Sequence, residues 1–251
     1  WQVGPGTVRR LEKHGIHTMG ELARASLYDE DMLYREFGVD AEILIDHAWG
    51  IESCGMKEIN AYQPETNSIC EGQVLSCPYD HEKTRLIVQE MTDSLVYQLM
   101  DKGLVTDGLT LDIGYDRENC DKGGYRGPVH IDRYGRTLPK PAHGSVRLES
   151  ATNLGSQLQA ATAALFDRIA DPKLTVRRLT LTANRVVKDP GIFQTNFFTD
   201  AARLEKEKSL QEAMLGLKKR FGKNTVLKGS NYLEGATMRD RNGRIGGHKA
   251  E

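Results

Sequence analysis

The order of the predicted strands and helices between residues 67 and 190 limits the possible folds more than any other feature of the sequence. Alternation of apolar and polar residues predicts four strands, near residues 69–75, 109–113, 145–148 and 174–188. Helical periodicity predicts two long amphipathic helices, over residues 80–102 and 153–170. The resulting β-α-β-β-α-β order is typical of a four-stranded sheet with both helices on one face. We therefore predict an α+β domain over residues 67–190, with a hairpin inserted in the Gly-, Pro- and charge-rich stretch 117–142.

The rest of the chain is predicted to be helical or irregular. Residues 1–52 contain four short helical patterns; Thr7 is expected to cap the first, and Thr18 with Glu21 forms a capping box before the second. Residues 53–66 show little periodicity and are interpreted as a linker. Residues 191–251 contain a helix near 200–221 and a basic tail, which has too few apolar side chains for a core of its own.

Charge is nearly balanced overall but unevenly distributed. The 34 Lys and Arg residues almost cancel the 35 Asp and Glu residues, which argues against a uniformly basic nucleic-acid binder. Residues 1–52 carry five basic and ten acidic side chains, whereas residues 216–251 carry nine basic and three acidic ones. Any polyanionic partner is therefore expected to contact the second half of the chain.

The sequence shows no recognisable signal for membrane insertion, secretion or disulfide formation. No apolar run has the roughly 18–20 residues that cross a bilayer, and no signal peptide is recognisable, so a soluble, cytoplasmic protein is expected. Four widely spaced cysteines predict free thiols rather than disulfides or a zinc site: Cys54, Cys70, Cys77 and Cys120. The chain opens on Trp1, so we expect it to be part of a longer protein.

A Gly-Pro-Gly turn at residues 4–6 leads into the first helix. Such a turn leaves backbone N–H groups free at a helix N-terminus, where one phosphate of DNA can bind without base recognition. For the Gly-Pro-Gly alone, an ordinary tight turn between packed helices is the better explanation. The second element, Gly-Ile-His-Thr-Met-Gly-Glu-Leu at residues 15–22, favours helix-hairpin-helix chemistry.

Together, residues 3–11 and 15–23 resemble the thumb domain of Y-family translesion DNA polymerases, the UmuC/DinB-like group. The predicted α+β domain then falls where that family has its little-finger domain, and residues 67–69, 144–152 and 175–181 resemble segments of it. The resemblance covers roughly residues 1–190. It implies a bacterial polymerase that acts in DNA repair and damage tolerance within the SOS response, of which this chain is the C-terminal part, associated with the nucleoid.

The resemblance implies binding of template–primer duplex DNA without sequence preference. Gly4, Gly6 and Thr7 would contact DNA from the thumb. From the little finger we expect contacts by four residues: Ser68, Ser145, Arg147 and Arg178. On the last strand, Arg178 is predicted to share a polar face with Thr180, Thr182 and Asn184, although a merely solvated sheet face is the alternative.

Catalysis is not predicted for this chain. The palm domain that the resemblance implies would hold two Mg²⁺ ions and would precede Trp1, so no cofactor is expected here and the chain alone should be inactive. Asp112 and Asp116, on one face of a predicted strand, are the nearest approach to a metal-binding pair, and solvent-facing carboxylates explain them as well. A non-catalytic adaptor that recruits a polymerase to the sliding clamp remains the alternative function, whereas a free-standing nuclease or hydrolase is disfavoured.

A second partner is predicted from residues 194–198, Gln-Thr-Asn-Phe-Phe. They resemble the Gln-x-x-Leu-Phe peptides that hold the sliding clamp, with Phe197 in place of the commoner leucine. Gln194 would hydrogen-bond at a pocket rim while Phe197 and Phe198 bury their rings. The alternative is that both rings pack the C-terminal helix against the preceding domain.

Overall fold

The computed structural model describes residues 3–62, 67–121, 125–132, 134–191, 201–245 and 248–249. The chain divides into two compact units, one ending at Glu65 and the other beginning at Thr66. Within the described part of the chain, no helix combines the length and the apolar character needed to cross a bilayer.

The first unit is helical, as predicted. Its helices are α1 (Pro5–Glu12), α2 (Met19–Tyr28), α3 (Glu30–Phe37), α4 (Asp40–Ala48) and α5 (Met56–Ala61). A small apolar core joins the first four, with Leu22, Leu33 and Ala41 almost fully buried. The predicted capping box is confirmed, because Thr18 Oγ1 accepts from the Glu21 N–H at 3.2 Å and Glu21 Oε2 accepts from the Thr18 N–H at 3.0 Å.

Two boundaries in this unit differ from the predictions. Thr7 does not cap α1: the helix begins at Pro5 and has Gly4 at its N-cap, because proline is well suited to the first helical position. The stretch 53–66, interpreted as a linker, contains α5, although none of the residues of that helix is buried.

The second unit contains the predicted β-α-β-β-α-β sequence of elements. Its principal elements are β1 (Ile69–Tyr79), α6 (His81–Asp101), β2 (Leu104–Tyr115), β5 (Ala142–Thr152), α8 (Gly155–Ile169) and β6 (Val176–Asn184). The strands pair antiparallel in the order β1-β6-β2-β5, and the short β7 (Val187–Lys188) pairs with β2. Helices α6 and α8 pack together on one face of the sheet. The main core lies between these two helices and the sheet, and it includes Leu95, Leu111, Phe166 and Leu181.

The predicted inserted hairpin is also present. A short helix α7 (Glu118–Asp121) precedes β3 (Val129–Ile131) and β4 (Thr137–Pro139), which pair antiparallel. Asp132 fixes the turn between these strands by accepting hydrogen bonds from the backbone of Tyr134 and Arg136 and from the Arg136 guanidinium. Burial alone would raise the pKa of Asp132, but the bonds from Arg136 outweigh it and lower the pKa to about 2.

The C-terminal region forms helices and a short strand pair. Helix α9 (Ala201–Phe221) packs on α6 and is followed by a 3₁₀ turn (Gly229–Tyr232), α10 (Met238–Asn242) and the paired β8 (Arg244–Ile245) and β9 (His248–Lys249). The tail after α9 is predicted to have too few apolar side chains for a core of its own, and Met238 is its buried apolar residue among those described. Polar contacts connect it to the rest of the unit, and most of them end on α6.

Candidate nucleic-acid interface

The side of the sheet opposite α6 and α8, which we name the open face, carries small and polar side chains. Burial alternates along β6, where Leu179, Leu181 and Ala183 are fully buried and the intervening residues are not. The open face has these members: Cys70, Gly72, Val74, Gly108, Thr110, Asp112, Gly114, His143, Ser145, Arg147, Arg178, Thr180, Thr182 and Asn184. Val74, 62% exposed, is its one large apolar member among the described residues.

Strand register places Ser145 and Arg147 in adjacent rows of this face and Arg178 two rows from Ser145. Ser145 lies opposite Thr110, which in turn lies opposite Thr182, so three hydroxyl groups line one row. Asn184 donates a hydrogen bond to Thr110 Oγ1 at 2.7 Å and joins this row to the next. The shared polar face predicted for β6 is therefore present.

Arg178 projects from the open face without a hydrogen bond or ion pair to any other described residue. It lies opposite Gly114 on β2, where an added Cβ would come within 3.2 Å of the Arg178 Cβ. The glycine thus leaves room for the base of the arginine side chain. An exposed arginine that no carboxylate neutralises is suited to a phosphate group.

Arg147 is also exposed, but unlike Arg178 it has an acidic partner. Its Nε lies 3.5 Å from Asp107 Oδ2, and Arg185 Nε lies 2.6 Å from Asp107 Oδ1. Arg185 has a positive φ of 48° just after β6, and its guanidinium covers Gly108. Two arginines therefore share one carboxylate at this corner of the sheet, which leaves a net positive charge.

The open face also contains negative charge that the site prediction omitted. Asp112 Oδ1 lies 2.6 Å from His143 Nδ1 across the β2–β5 pair. This pair is exposed to solvent and lies in the row between those of Ser145 and Arg178. The positive charge of the open face is consequently concentrated at two places, around Arg147 and Arg178.

The remaining predicted DNA-binding residues lie outside the strands of the open face. Ser68 directly precedes β1 and is half-buried. In the first unit, Gly4 and Gly6 are exposed at the start of α1 and Thr7 is half-buried. The Val8 N–H donates to Gly4 O at 3.0 Å, so the Gly6 and Thr7 N–H groups precede the first hydrogen bond within the helix.

Asp112 and Asp116 do not converge. Asp116 lies beyond the end of β2 and is buried, where its Oδ1 accepts from the Glu118 N–H at 2.9 Å and its Oδ2 faces Arg177. The strand ends at Tyr115 with an irregular register, so the two carboxylates no longer share a face. In the described ranges, no three His, Cys, Asp or Glu side chains are grouped closely enough to bind a metal ion.

Two further predictions concern other positions. The four cysteines are free thiols, as expected. The residues of the clamp prediction, Gln194, Phe197 and Phe198, lie outside the described residues.

The similarity of this chain to known proteins is found in its sequence. Over 252 residues, the chain is 25% identical to UvrX of Bacillus subtilis, a protein named for UV-damage repair, covering 100% of this chain and 54% of UvrX. It is 26% identical over 255 residues to DNA polymerase IV 2 of the same organism, covering 98% of this chain and 53% of that protein. No family model matches the chain.

A chimaeric Y-family DNA polymerase of known structure is 12% identical, with a TM-score of 0.36, and the similarity covers 74% of this chain and 46% of the chimaera. The sequence relatives confirm the resemblance to Y-family polymerases. It spans about half the length of the curated relatives it matches.

Proposed function

We propose that this chain binds template–primer duplex DNA, without sequence preference, as the thumb and little-finger part of a translesion DNA polymerase that acts in DNA repair. Residues 1–52 would form the thumb and residues 67–190 the little finger. The relationship to UvrX and to DNA polymerase IV 2 supports the polymerase class. Nucleotide transfer is proposed for a palm domain with bound Mg²⁺, not for the residues of this chain.

The observation that carries the proposal is the composition of the open face. Hydroxyl and amide groups can donate to phosphate oxygens, and Arg178 and Arg147 supply positive charge at separate rows of the sheet. Side chains that recognise base edges are not needed, because phosphate contacts position DNA without reading its sequence. The face therefore fits the backbone of a duplex.

The first unit would add one phosphate contact. The unbonded N–H groups of Gly6 and Thr7 lie at the positive end of α1, which attracts an anion. Gly4 and Gly6 have no atoms within 4 Å of an added Cβ, so a phosphate has free access to this turn. The acidic balance of residues 1–52 limits binding by this unit to local contacts.

Salt dependence of binding to a fluorescent primer–template duplex tests the proposal. If about four phosphates are neutralised, log K should fall against log salt with a slope of about −3 to −4. Arg178→Ala should weaken binding to every duplex sequence and make the slope shallower by about one. Lys206→Ala, which removes a positive charge from α9 on the other side of the sheet, is the matched control. A slope near zero for the unchanged chain would contradict the proposal.

We also propose that residues 194–198 bind the sliding clamp. A peptide of residues 190–200 should bind purified clamp, and the same peptide with Gln194→Ala, Phe197→Ala and Phe198→Ala should not. Equal binding by both peptides would contradict this part of the proposal. If the triple variant of the whole chain loses thermal stability without any change in clamp binding, the two rings have a packing role instead.

A further inference from the structure

A basic patch with exposed aromatic rings lies at the C-terminal end of the second unit. We define it by six residues: Arg220, Phe221, Lys223, Tyr232, Arg239 and Arg244. The Phe221 and Tyr232 side chains are 59% and 64% exposed. The Arg239 guanidinium lies 4.6 Å from the centre of the Tyr232 ring, and that of Arg220 lies 5.0 Å from the centre of the Phe221 ring. Each ring is thus paired with a cation.

Two hydrogen bonds join segments of the chain that carry the patch. Asn224 Nδ2 donates to the backbone oxygen of Arg239 at 3.0 Å, and Asn242 Nδ2 donates to Asn224 Oδ1 at 2.7 Å. These bonds connect the turn that follows Phe221 to α10, which carries Arg239. Rings and cations that are already ordered lose little conformational entropy when a ligand binds.

The positive charge of the patch is available to a partner. Other basic residues of this region are already bound: Lys228 to Asp93, Lys219 to Asp101 and Arg241 to Gln73. The four cations of the patch, Arg220, Lys223, Arg239 and Arg244, form no ion pair with another described residue, and only the charge of Lys223 acts at longer range on a carboxylate, that of Glu71. Of the two acidic side chains in residues 216–245, Glu234 is bound to Lys83 at 2.6 Å, and Asp240 remains exposed.

The patch and the open face lie on opposite sides of the sheet. The Thr237 and Met238 N–H groups bind Glu90 of α6, and Arg241 binds Gln73, which alternates with the open-face residues Gly72 and Val74 along β1. A duplex on the open face would therefore leave the patch free. The patch and the open face are therefore separate surfaces.

We propose that the C-terminal basic patch binds single-stranded nucleic acid, with phosphates on its four cations and unpaired bases stacked on Tyr232 and Phe221. Aromatic rings beside cations are the usual surface for unpaired bases, because each base presents a π-face whatever its sequence. In a duplex those faces are stacked against their neighbours, so exposed rings favour a single strand. This site involves no residue of the open face and does not rest on the duplex-binding proposal.

Fluorescence anisotropy of a labelled oligo-dT of about twelve nucleotides tests the site in the whole chain. Tyr232→Ala should weaken binding about tenfold, whereas Tyr232→Phe, which keeps the ring, should bind as the unchanged chain does. Leu233→Ala is the matched control, since Leu233 is adjacent and similarly exposed but has no π-face. Arg239→Ala should weaken binding and make the salt slope shallower by about 0.7.

Three outcomes would overturn the proposal. The first is equal oligo-dT binding by the unchanged chain and Tyr232→Ala. The second is a loss in Arg178→Ala as large as in Tyr232→Ala, which would assign the single strand to the open face. The third is binding of vesicles rich in phosphatidylserine, lost in Arg239→Ala, without any oligo-dT binding. Duplex binding that fails while oligo-dT binding persists would contradict only the proposed duplex function.

Discussion

The carboxylate of Glu207 on α9 receives two hydrogen bonds from Ser156 at the start of α8, one from the backbone N–H and one from the hydroxyl, both at 2.7 Å. Helix α8 has no N-cap side chain of its own, because Leu154 occupies that position. Gln211 Oε1 adds a longer bond, of 3.4 Å, from the Gly155 N–H. A helix distant in sequence therefore supplies both the acceptors and the negative charge that the α8 N-terminus requires.

Removal of this cap should weaken the second unit. Glu207→Ala leaves the Ser156 N–H without its acceptor, and we expect the free energy of unfolding to fall by about 1 kcal/mol. Urea unfolding followed by circular dichroism measures the change. Glu205→Ala, at an exposed position of the same helix, should have little effect. Equal stability of the two variants would show that α9 does not cap α8 in solution.

Glu90 is predicted to hold the C-terminal region on α6. Its side chain is 1% exposed and accepts bonds from Asn231 Nδ2 at 2.9 Å, from the Thr237 N–H at 2.8 Å and from the Met238 N–H at 3.0 Å. Glu90→Gln keeps the size but replaces one acceptor oxygen with a donor. We expect a loss of about 2 kcal/mol of stability.

The same substitution should also make residues 222–245 susceptible to proteolysis under conditions that leave the unchanged chain intact. Glu82→Gln, at an exposed position of α6, is the control. If Glu90→Gln and the control are cleaved at the same rate, the contact does not retain the C-terminal region.

Glu71 predicts a pH dependence of stability. Burial raises the pKa of Glu71 above its ordinary value of 4.5, and the hydrogen bond from Ser94 and the charge of Arg241 only partly oppose this. The unfolded chain releases this proton near 4.5 and the folded chain releases it at higher pH, so the folded state holds more protons between the two values. Stability should therefore fall as pH rises through that window.

Unfolding measured between pH 4 and 7 tests this effect of Glu71. Glu71→Gln cannot ionise and should lose this part of the pH dependence, and its stability relative to the unchanged chain should increase as pH rises. Glu82→Gln removes a carboxylate from an exposed position and serves as the control. An unchanged pH profile in Glu71→Gln would contradict the assignment.

The regular part of this structure was predictable because buried elements leave a period in the sequence. Apolar alternation at Leu109, Leu111 and Ile113 reports a strand with one buried face, and the structure has β2 there. The open face followed from the same alternation, since Arg178 and Thr180 occupy the positions between buried residues. The start of α1 differs from the prediction because Pro5 fixes the first helical turn before Thr7, the predicted cap.

The polar contacts could not be predicted in this way. Glu90 and Thr237 are 147 positions apart, and a hydrogen bond between them leaves no periodic pattern in either segment. Arg185 contacts Asp107 from a backbone with a positive φ. This conformation is uncommon for residues other than glycine, so the sequence does not predict it. The composition of the basic tail therefore does not predict that it packs on the domain. In the structure, the buried carboxylates of Glu90 and Asp93 on α6 bind it.

The chain alone is predicted to add no nucleotide to a primed template in Mg²⁺ or Mn²⁺. Two-metal chemistry needs carboxylates that converge on ions about 4 Å apart, whereas Asp112 faces His143 and Asp116 is bound to the Glu118 N–H. Primer extension on a denaturing gel, with an active polymerase as the positive control, measures this. Extension that is abolished by Asp112→Asn would contradict the interpretation of both carboxylates.

Asp112 provides a final test of the duplex interface, because its negative charge lies between the rows of Ser145 and Arg178 on the open face. A phosphate backbone on this face would be repelled by the carboxylate, which His143 offsets only when protonated. Asp112→Asn keeps the shape and a hydrogen-bonding side chain, and we expect it to bind duplex DNA about threefold more tightly at low salt. Asp31→Asn removes an equivalent charge from an exposed position on α3 of the other unit and should leave the affinity nearly unchanged. Fluorescence anisotropy measures both variants, and equal affinities would indicate that DNA does not approach the open face at Asp112.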